Sequence, residues 1–203
     1  SALKVQNWIE APQEEDKRKI INFVRYELYK KLDTTPAEWD LILPNSSADE
    51  IANFRRTFFE GVYVYAEDIR APFNLGSIFR TAEAFGAEKL LLSEGCVSPA
   101  QPRAQRSAMG CTHFLPWEYC PLEALPADLP VFALETGGTP ITFFSFPKHG
   151  VVLLGSEELG LSVEALKRVS AGIVSIPMKG VKASLNVAVA FGILMQYWVA
   201  SFF

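Results

Sequence analysis

Histidine, cysteine and surplus positive charge are all scarce in this chain of 203 residues. Two histidines, His113 and His149, make a histidine-based zinc site improbable, and no metal is expected. The three cysteines, Cys96, Cys111 and Cys120, are odd in number and lack CxxC spacing. That argues against a disulfide framework and suits a reduced, cytoplasmic protein. With 19 Lys and Arg against 23 Asp and Glu, the net charge is −4. A protein that coats nucleic acid indiscriminately is normally basic, so any such contact here must come from a local patch. The N-terminal residues show no signal-peptide pattern, and the Asn45-Ser46-Ser47 sequon is read as chance. Internal repeats and low-complexity segments are absent as well.

What is present is apolar and aromatic. Residues of apolar type make up 49% and charged residues 21%, with 15 Phe and 4 Trp. This fits a large core or an extensive subunit interface, and the length suffices to bury a core without staples. From Leu185 to Phe203 the only clearly polar residues are Asn186, Gln196 and Ser201. That length reaches the threshold for a membrane span. No positive flank follows, and Gly192 with its small neighbours suits tight packing. The expected reading is a buried helix, one face on a sheet and the other on a second subunit, and no membrane.

Two regions differ in texture. Residues 1–60 read as a helical extension. Glu14-Glu15-Asp16 forms an acidic first turn, and Ile20, Phe23, Val24, Leu28 and Leu32 recur at helical spacing. A Thr-Thr-Pro break at 34–36 precedes a second helix bearing Ile51, Phe54, Phe58 and Phe59, with Arg55 and Arg56 as possible phosphate contacts. Residues 61–203 alternate strands and helices. Strands are expected at Val62–Tyr65, Lys89–Leu92, Val131–Leu134, Val151–Leu154 and Ile173–Ile176, and helices at Asn74–Phe85, Ser162–Val169 and from Ser184 onward. A loop with Pro99, Pro102, Arg103 and Arg106 interrupts them. Continuous apolar strands alternating with helices predict an α/β fold with a mostly parallel sheet and helices on both faces.

Three strand ends carry the distinctive residues, and ligands of such sheets gather at the carboxyl ends of strands. The first loop runs Asp68-Ile69-Arg70-Ala71-Pro72-Phe73-Asn74-Leu75-Gly76 and leads to Arg80. Asn74 can cap the helix, and Gly76 permits close approach in its first turn. The second, Gly155-Ser156-Glu157-Glu158-Leu159-Gly160-Leu161-Ser162, has two glycines five apart but Leu161 where a P-loop needs lysine. Glu157 is a candidate partner for Arg80; a solvated loop acid is about as good a reading on spacing alone. The third joins Ile176-Pro177-Met178-Lys179-Gly180 to Ser184-Leu185-Asn186-Val187. Helix capping by Ser184 would explain that serine but not Asn186.

Taken together, these motifs resemble the SpoU family of RNA 2′-O-ribose methyltransferases, within the SPOUT superfamily. The resemblance covers residues 61–203: Asn74-x-Gly76-x-x-x-Arg80-Thr81, then Gly155-x-Glu157-x-x-Gly160-Leu161-Ser162, then the Ile176–Val187 segment, with Arg106–Gly110 between the first two. It implies a catalytic domain with a C-terminal deep trefoil knot and S-adenosylmethionine as cofactor. The matching cofactor positions are Leu134, Glu135, Thr136, Gly155, Ile176, Met178 and Leu185. Arg80, Glu157, Ser184 and Asn186 would be catalytic: Arg80 acting as base or by stabilising charge on the ribose oxygen, Glu157 orienting Arg80, and Ser184 and Asn186 positioning ribose and phosphate oxygens. Guanidinium stays protonated in proteins, which favours the electrostatic role for Arg80. Asn74, Arg55, Arg56, Arg70, Arg103 and Arg106 are the candidate RNA contacts, with Lys179 and Lys182 as further candidates for phosphate. The resemblance implies tRNA or rRNA as substrate and a homodimer through the C-terminal helix and knot.

Three positions depart from the family's pattern: Ser156 where Asn is usual, Glu158 where Gly is common, and Ala188 where a second Ser is frequent. With the acidic balance, they motivate the alternative of an RNA-binding or assembly protein with weak or no catalysis. Methylation of a base or a protein remains a third possibility.

Overall fold

The computed structural model describes residues 14–31 and 56–203. The chain divides into two compact units, Ser1–Asp40 and Leu41–Phe203. In the first, helix α1 spans Glu14–Lys31, as its periodicity predicts. Ile21, Phe23, Val24, Tyr26 and Leu28 are all exposed on it. Of the predicted second helix, Ile51, Phe54 and Arg55 lie outside the described residues; Phe58 is in no helix and Phe59 opens a strand, so the helix does not reach them.

The second unit is built on a six-stranded sheet ordered β3-β2-β1-β5-β4-β6. Its strands are β1 (Phe59–Ala66), β2 (Ala87–Leu92), β3 (Trp117–Tyr119), β4 (Val131–Pro140), β5 (Gly150–Leu154) and β6 (Ile173–Ser175). Every neighbouring pair is parallel. All five residues of β5 are buried, as an apolar run without alternation requires of a strand covered on both faces.

Two apolar clusters occupy the two faces. On one, Val62, Val64, Leu90, Phe132, Val152 and Leu154 meet Ile78, Phe79, Phe191, Leu194 and Trp198. The latter come from helices α2 (Pro72–Ala84) and α6 (Val187–Ala200). On the other, Tyr65, Leu91, Val131, Ala133, Val151 and Leu153 meet Leu125, Leu161 and Ala165, the last on helix α5 (Val163–Lys167). Adjacent residues of β1 and of β5 thus go to opposite faces. Trp198 anchors α6: its ring lies edge-on to Phe132 at 4.7 Å between centroids, and its Nε1 donates to the Pro147 carbonyl at 2.7 Å. Among the described residues, no helix is long and apolar enough to cross a membrane.

The region read as a loop around Pro102 folds further than expected. It holds α3 (Pro102–Ala108), α4 (Cys111–Phe114) and edge strand β3. These elements are too short to stand on periodicity; tertiary contact makes them. Gln101 caps α3 by accepting from the Arg103 and Ala104 amides at 2.6 and 3.2 Å. Gly76 lies against α3, and a Cβ there would run into the Ala104 carbonyl, Ser107 Oγ and the Ala108 amide. The close approach expected of Gly76 is therefore made to another helix and not to a ligand.

Candidate active site

The end of β5, residues 134–136 of β4, Asn74 in the first turn of α2 and the segment after β6 converge on one cleft of about 780 Å³. Its lining includes Leu134, Glu135, Thr136, Gly155, Ile176, Met178 and Leu185, together with Asn74, Glu157, Ser184 and Asn186. Arg80, Arg56, Arg70, Arg103 and Arg106 are not among the described residues that line it.

The loop from β1 to α2 is built before any ligand need arrive. Asp68 takes a left-handed backbone (φ 54°), tolerated because its side chain and amide both find partners. Its Oδ1 accepts from Ser93 Oγ at 2.7 Å, and its amide donates to the same Oγ at 2.8 Å. The Ile69 amide donates to the buried Cys96 sulfur at 3.3 Å, and that thiol donates to the Ala66 carbonyl at 3.2 Å. Burial pushes the Cys96 thiol up, away from thiolate chemistry.

Glu157 then ties the second loop to the first. Its carboxylate accepts from the Arg70 and Ala71 amides, both at 3.1 Å, and from Asn74 Nδ2 at 2.8 Å. Burial works to raise its pKa, but these bonds outweigh it and hold the carboxyl below the ordinary glutamate range. The amides belong to the start of α2, which opens at Pro72 with Ala71 as N-cap residue and no side-chain cap of its own. So Asn74 does not cap this helix; Glu157 holds the Asn74 side chain and the two amides that lead into the helix. Nor does Glu157 orient Arg80. The Arg80 Nη1 donates to Met109 Sδ at 2.8 Å, on a residue that closes α3 with φ 52°.

The third segment joins the same network at its far end. Asn186 Nδ2 donates to Asn74 Oδ1 at 2.8 Å, while Asn186 Oδ1 caps α6 by accepting from Ala188 and Val189 at 3.0 and 3.3 Å. Asn186, not Ser184, is thus the cap, and α6 begins at Val187. Asn186, Asn74 and Glu157 form one relay across all three motif loops. Ser184 is exposed beside the cleft.

Between Gly155 and Leu161 the second loop is a tight hairpin. Ser156 and Gly160 exchange backbone bonds at 3.1 and 3.0 Å, and Leu159 donates to Ser156 Oγ at 3.2 Å. Gly155 must be glycine because a Cβ would meet the Gly160 and Leu161 backbone. The hairpin's exit is fixed twice over. Glu67 accepts from Ser162 N and Oγ, both at 2.7 Å, and Glu135 accepts from the Leu161 amide at 3.4 Å. Sequence reading missed Glu67, whose only signal was its place at the carboxyl end of a buried strand.

The proposed arginine contacts separate into two kinds. Arg56 is committed to the fold: it donates to the Ala87 and Glu88 carbonyls, pairs with Glu83 at 3.8 Å and lies over Phe58. Burial lowers its pKa, against the opposing pull of Glu83. That commitment removes it from the list of exposed phosphate contacts. Arg70, Arg103 and Arg106 are exposed, and none forms an ion pair among the described residues.

Comparison with known proteins gives this arrangement its family. The sequence profile of the SpoU rRNA Methylase family matches residues 61–196. The chain belongs to that family. A 23S rRNA (uridine(2479)-2′-O)-methyltransferase of Streptomyces viridochromogenes is 34% identical over 131 residues, covering 58% of this chain and 45% of that protein. An uncharacterised tRNA/rRNA methyltransferase of Synechocystis is 34% identical over 149 residues, covering 66% of this chain and 53% of that protein. Among solved structures, an AdoMet-bound rRNA methyltransferase from Sinorhizobium meliloti superposes with a TM-score of 0.66 at 29% identity, covering 73% of this chain and 59% of that one. The SpoU methyltransferase AviRb from Streptomyces viridochromogenes, in complex with AdoMet, gives 0.62 at 27% identity, covering 76% and 61%. The chain spans about half the length of these two curated relatives.

Proposed function

We propose that this SpoU-family chain transfers a methyl group from S-adenosylmethionine to a ribose 2′-hydroxyl of tRNA or rRNA. One observation carries the reading: the Asn186–Asn74–Glu157 relay joins three motif loops at a cleft lined by all seven positions the family resemblance assigns to cofactor. The lining suits that cofactor. Leu134, Leu154, Ile176, Leu185 and Val187 offer apolar walls for adenine, and the volume is that of a small-molecule site. When bound, S-adenosylmethionine supplies an electrophilic methyl group on a sulfonium.

The chain's own residues have separate tasks. Glu157, Asn74 and Asn186 fix the loops relative to one another, so that hydroxyl and methyl donor meet aligned. Ser184 contacts the ribose. Arg80 stabilises the negative charge that grows on the ribose oxygen as its proton passes to solvent water. The thioether that now holds Arg80 is a weak acceptor, readily exchanged for an oxygen. Arg70, Arg103 and Arg106 take RNA phosphates. Residues 61–203 form the catalytic domain, with residues 1–60 as an extension. The return of the chain from edge strand β6 to pack α6 against α2 supports a C-terminal trefoil knot. Exposed Met178, Val181, Leu185, Val189 and Tyr197 support a homodimer through this region. Three unpaired thiols support a cytoplasmic setting.

The test is nucleoside mass spectrometry of RNA from cells lacking the gene, together with methyl transfer by the purified protein. One 2′-O-methyl nucleoside should disappear in the cells, and the wild type should restore it. Arg80→Ala should lower the transfer rate by about a hundredfold or more while cofactor still binds. Full turnover in that variant refutes the role of Arg80. Intact RNA methylation in the deletion, with RNA binding by the purified protein, favours the assembly reading instead.

A further inference from the structure

The cleft contains two charges that the relay leaves unused. Glu158 and Lys182 both line it and both are exposed. Glu157 is committed to the first loop, and Glu135 to Leu161 and its own neighbour Thr136. Glu158 and Lys182, by contrast, form no ion pair with one another or with any other described residue. Among the described residues, Lys182 is also the only cation that lines the cleft. A lysine that shares a cleft with three glutamates and pairs with none is placed for a ligand.

We propose that Glu158 and Lys182 form the subsite for the zwitterionic amino-acid end of the cofactor, Lys182 taking the α-carboxylate and Glu158 the α-ammonium. This rests on the cleft being the S-adenosylmethionine site. The apolar wall of Leu134, Leu154, Ile176 and Leu185 has no charge with which to hold an amino acid, so it suits the adenine. The opposite end of the ligand carries one positive and one negative group, and the two unpaired side chains match them in sign and number. The subsite also gives a purpose to the acid at Glu158, which stands where a glycine is common in the family.

Calorimetry with three ligands separates the contributions: S-adenosylhomocysteine, which has both groups; decarboxylated S-adenosylmethionine, which keeps only the amine; and 5′-methylthioadenosine, which has neither. Lys182→Ala should weaken S-adenosylhomocysteine about tenfold and leave the other two ligands within about twofold, the range expected of a charge-assisted hydrogen bond lost from one group. Lys182→Arg should recover most of that loss. Glu158→Gln should weaken both amine-bearing ligands by about fivefold and spare 5′-methylthioadenosine. Equal weakening of all three ligands, or none, overturns the subsite. So does a Lys182→Ala protein whose only defect is a raised KM for RNA, since that assigns the ammonium to a phosphate. A wild type that binds all three ligands equally refutes this inference alone. A wild type that binds none removes the cofactor reading of the cleft, and this inference with it.

Discussion

The first and third motif loops face each other across one cleft, yet they are built in opposite ways. Between Glu67 and Gly76, the amides of Asp68, Ile69, Arg70 and Ala71 and the side chains of Glu67, Asp68 and Asn74 are bonded to Ser93, Cys96, Glu157 and Ser162. Between Pro177 and Asn186 every residue is exposed, Val181 fully so, and only Asn186 reaches back to the first loop. Buried polar groups must be paired within the protein, whereas exposed ones can wait for a partner. The first loop is therefore a preformed frame. The third is a strip whose polar groups remain available to what enters the cleft.

That contrast should break most sharply at Gly76. A methyl group there collides with backbone of α3 on two sides, and backbone cannot step aside as a flexible side chain can. Gly76→Ala should destabilise the protein by about 3 kcal/mol, the upper range for overpacking a core. Urea denaturation measures it. A loss below about 0.5 kcal/mol, the ordinary surface value, would show that α2 and α3 are not locked together.

Much of this frame was legible in the sequence, but only where periodicity or an apolar run announced it. The β5 run Val151–Leu154 and the helix rich in Phe191, Leu194 and Trp198 were predictable because burial on two faces demands such runs. Partners were harder. Glu157 looked like a partner for Arg80 because both are charged and near strand ends; geometry gave it amides of the first loop instead. Ser184 looked like the cap of α6, yet Asn186 takes that place, because nothing local distinguishes an asparagine from a serine two residues earlier. The short elements α3, α4 and β3 exist by tertiary contact, which no window of sequence contains. Glu67 was invisible for the same reason, since Ser162 lies 95 residues away. The positions lining the cleft could be collected only by resemblance to a family, because their shared property is a place in space.

A moderate effect is expected where the two loops are tied by charge. At pH 7, Glu157→Gln should lower the thermal midpoint by about 2–4 °C, as the loss of charge-assisted bonds to the first loop would in a domain of this size. The carboxyl's folded pKa is depressed, so its stabilisation is complete above the unfolded value of about 4.3 and is lost as pH falls through the folded value. The wild type and the variant should therefore draw together as pH falls from the unfolded value toward the folded one. Thermal scans across pH 3–7 test this; a gap that does not narrow on acidification would mean that shape, not charge, joins the loops.

The smallest effect belongs to the third loop, and it is the control that gives the others meaning. Gly180 has nothing within 4 Å of where a Cβ would stand, and its backbone is not left-handed. Gly180→Ala should change stability by less than about 0.5 kcal/mol in the same urea measurement. The two glycines stand in the first and third motifs of one family, yet the structure gives them unlike reasons to be there. Gly76 is required by a helix that is already present. Gly180 has no structural requirement that the fold itself reveals. If Gly180→Ala leaves folding intact but weakens S-adenosylhomocysteine, the glycine serves the ligand's approach. If it destabilises the free protein as Gly76→Ala does, the third loop is a frame too, and the contrast between the loops fails.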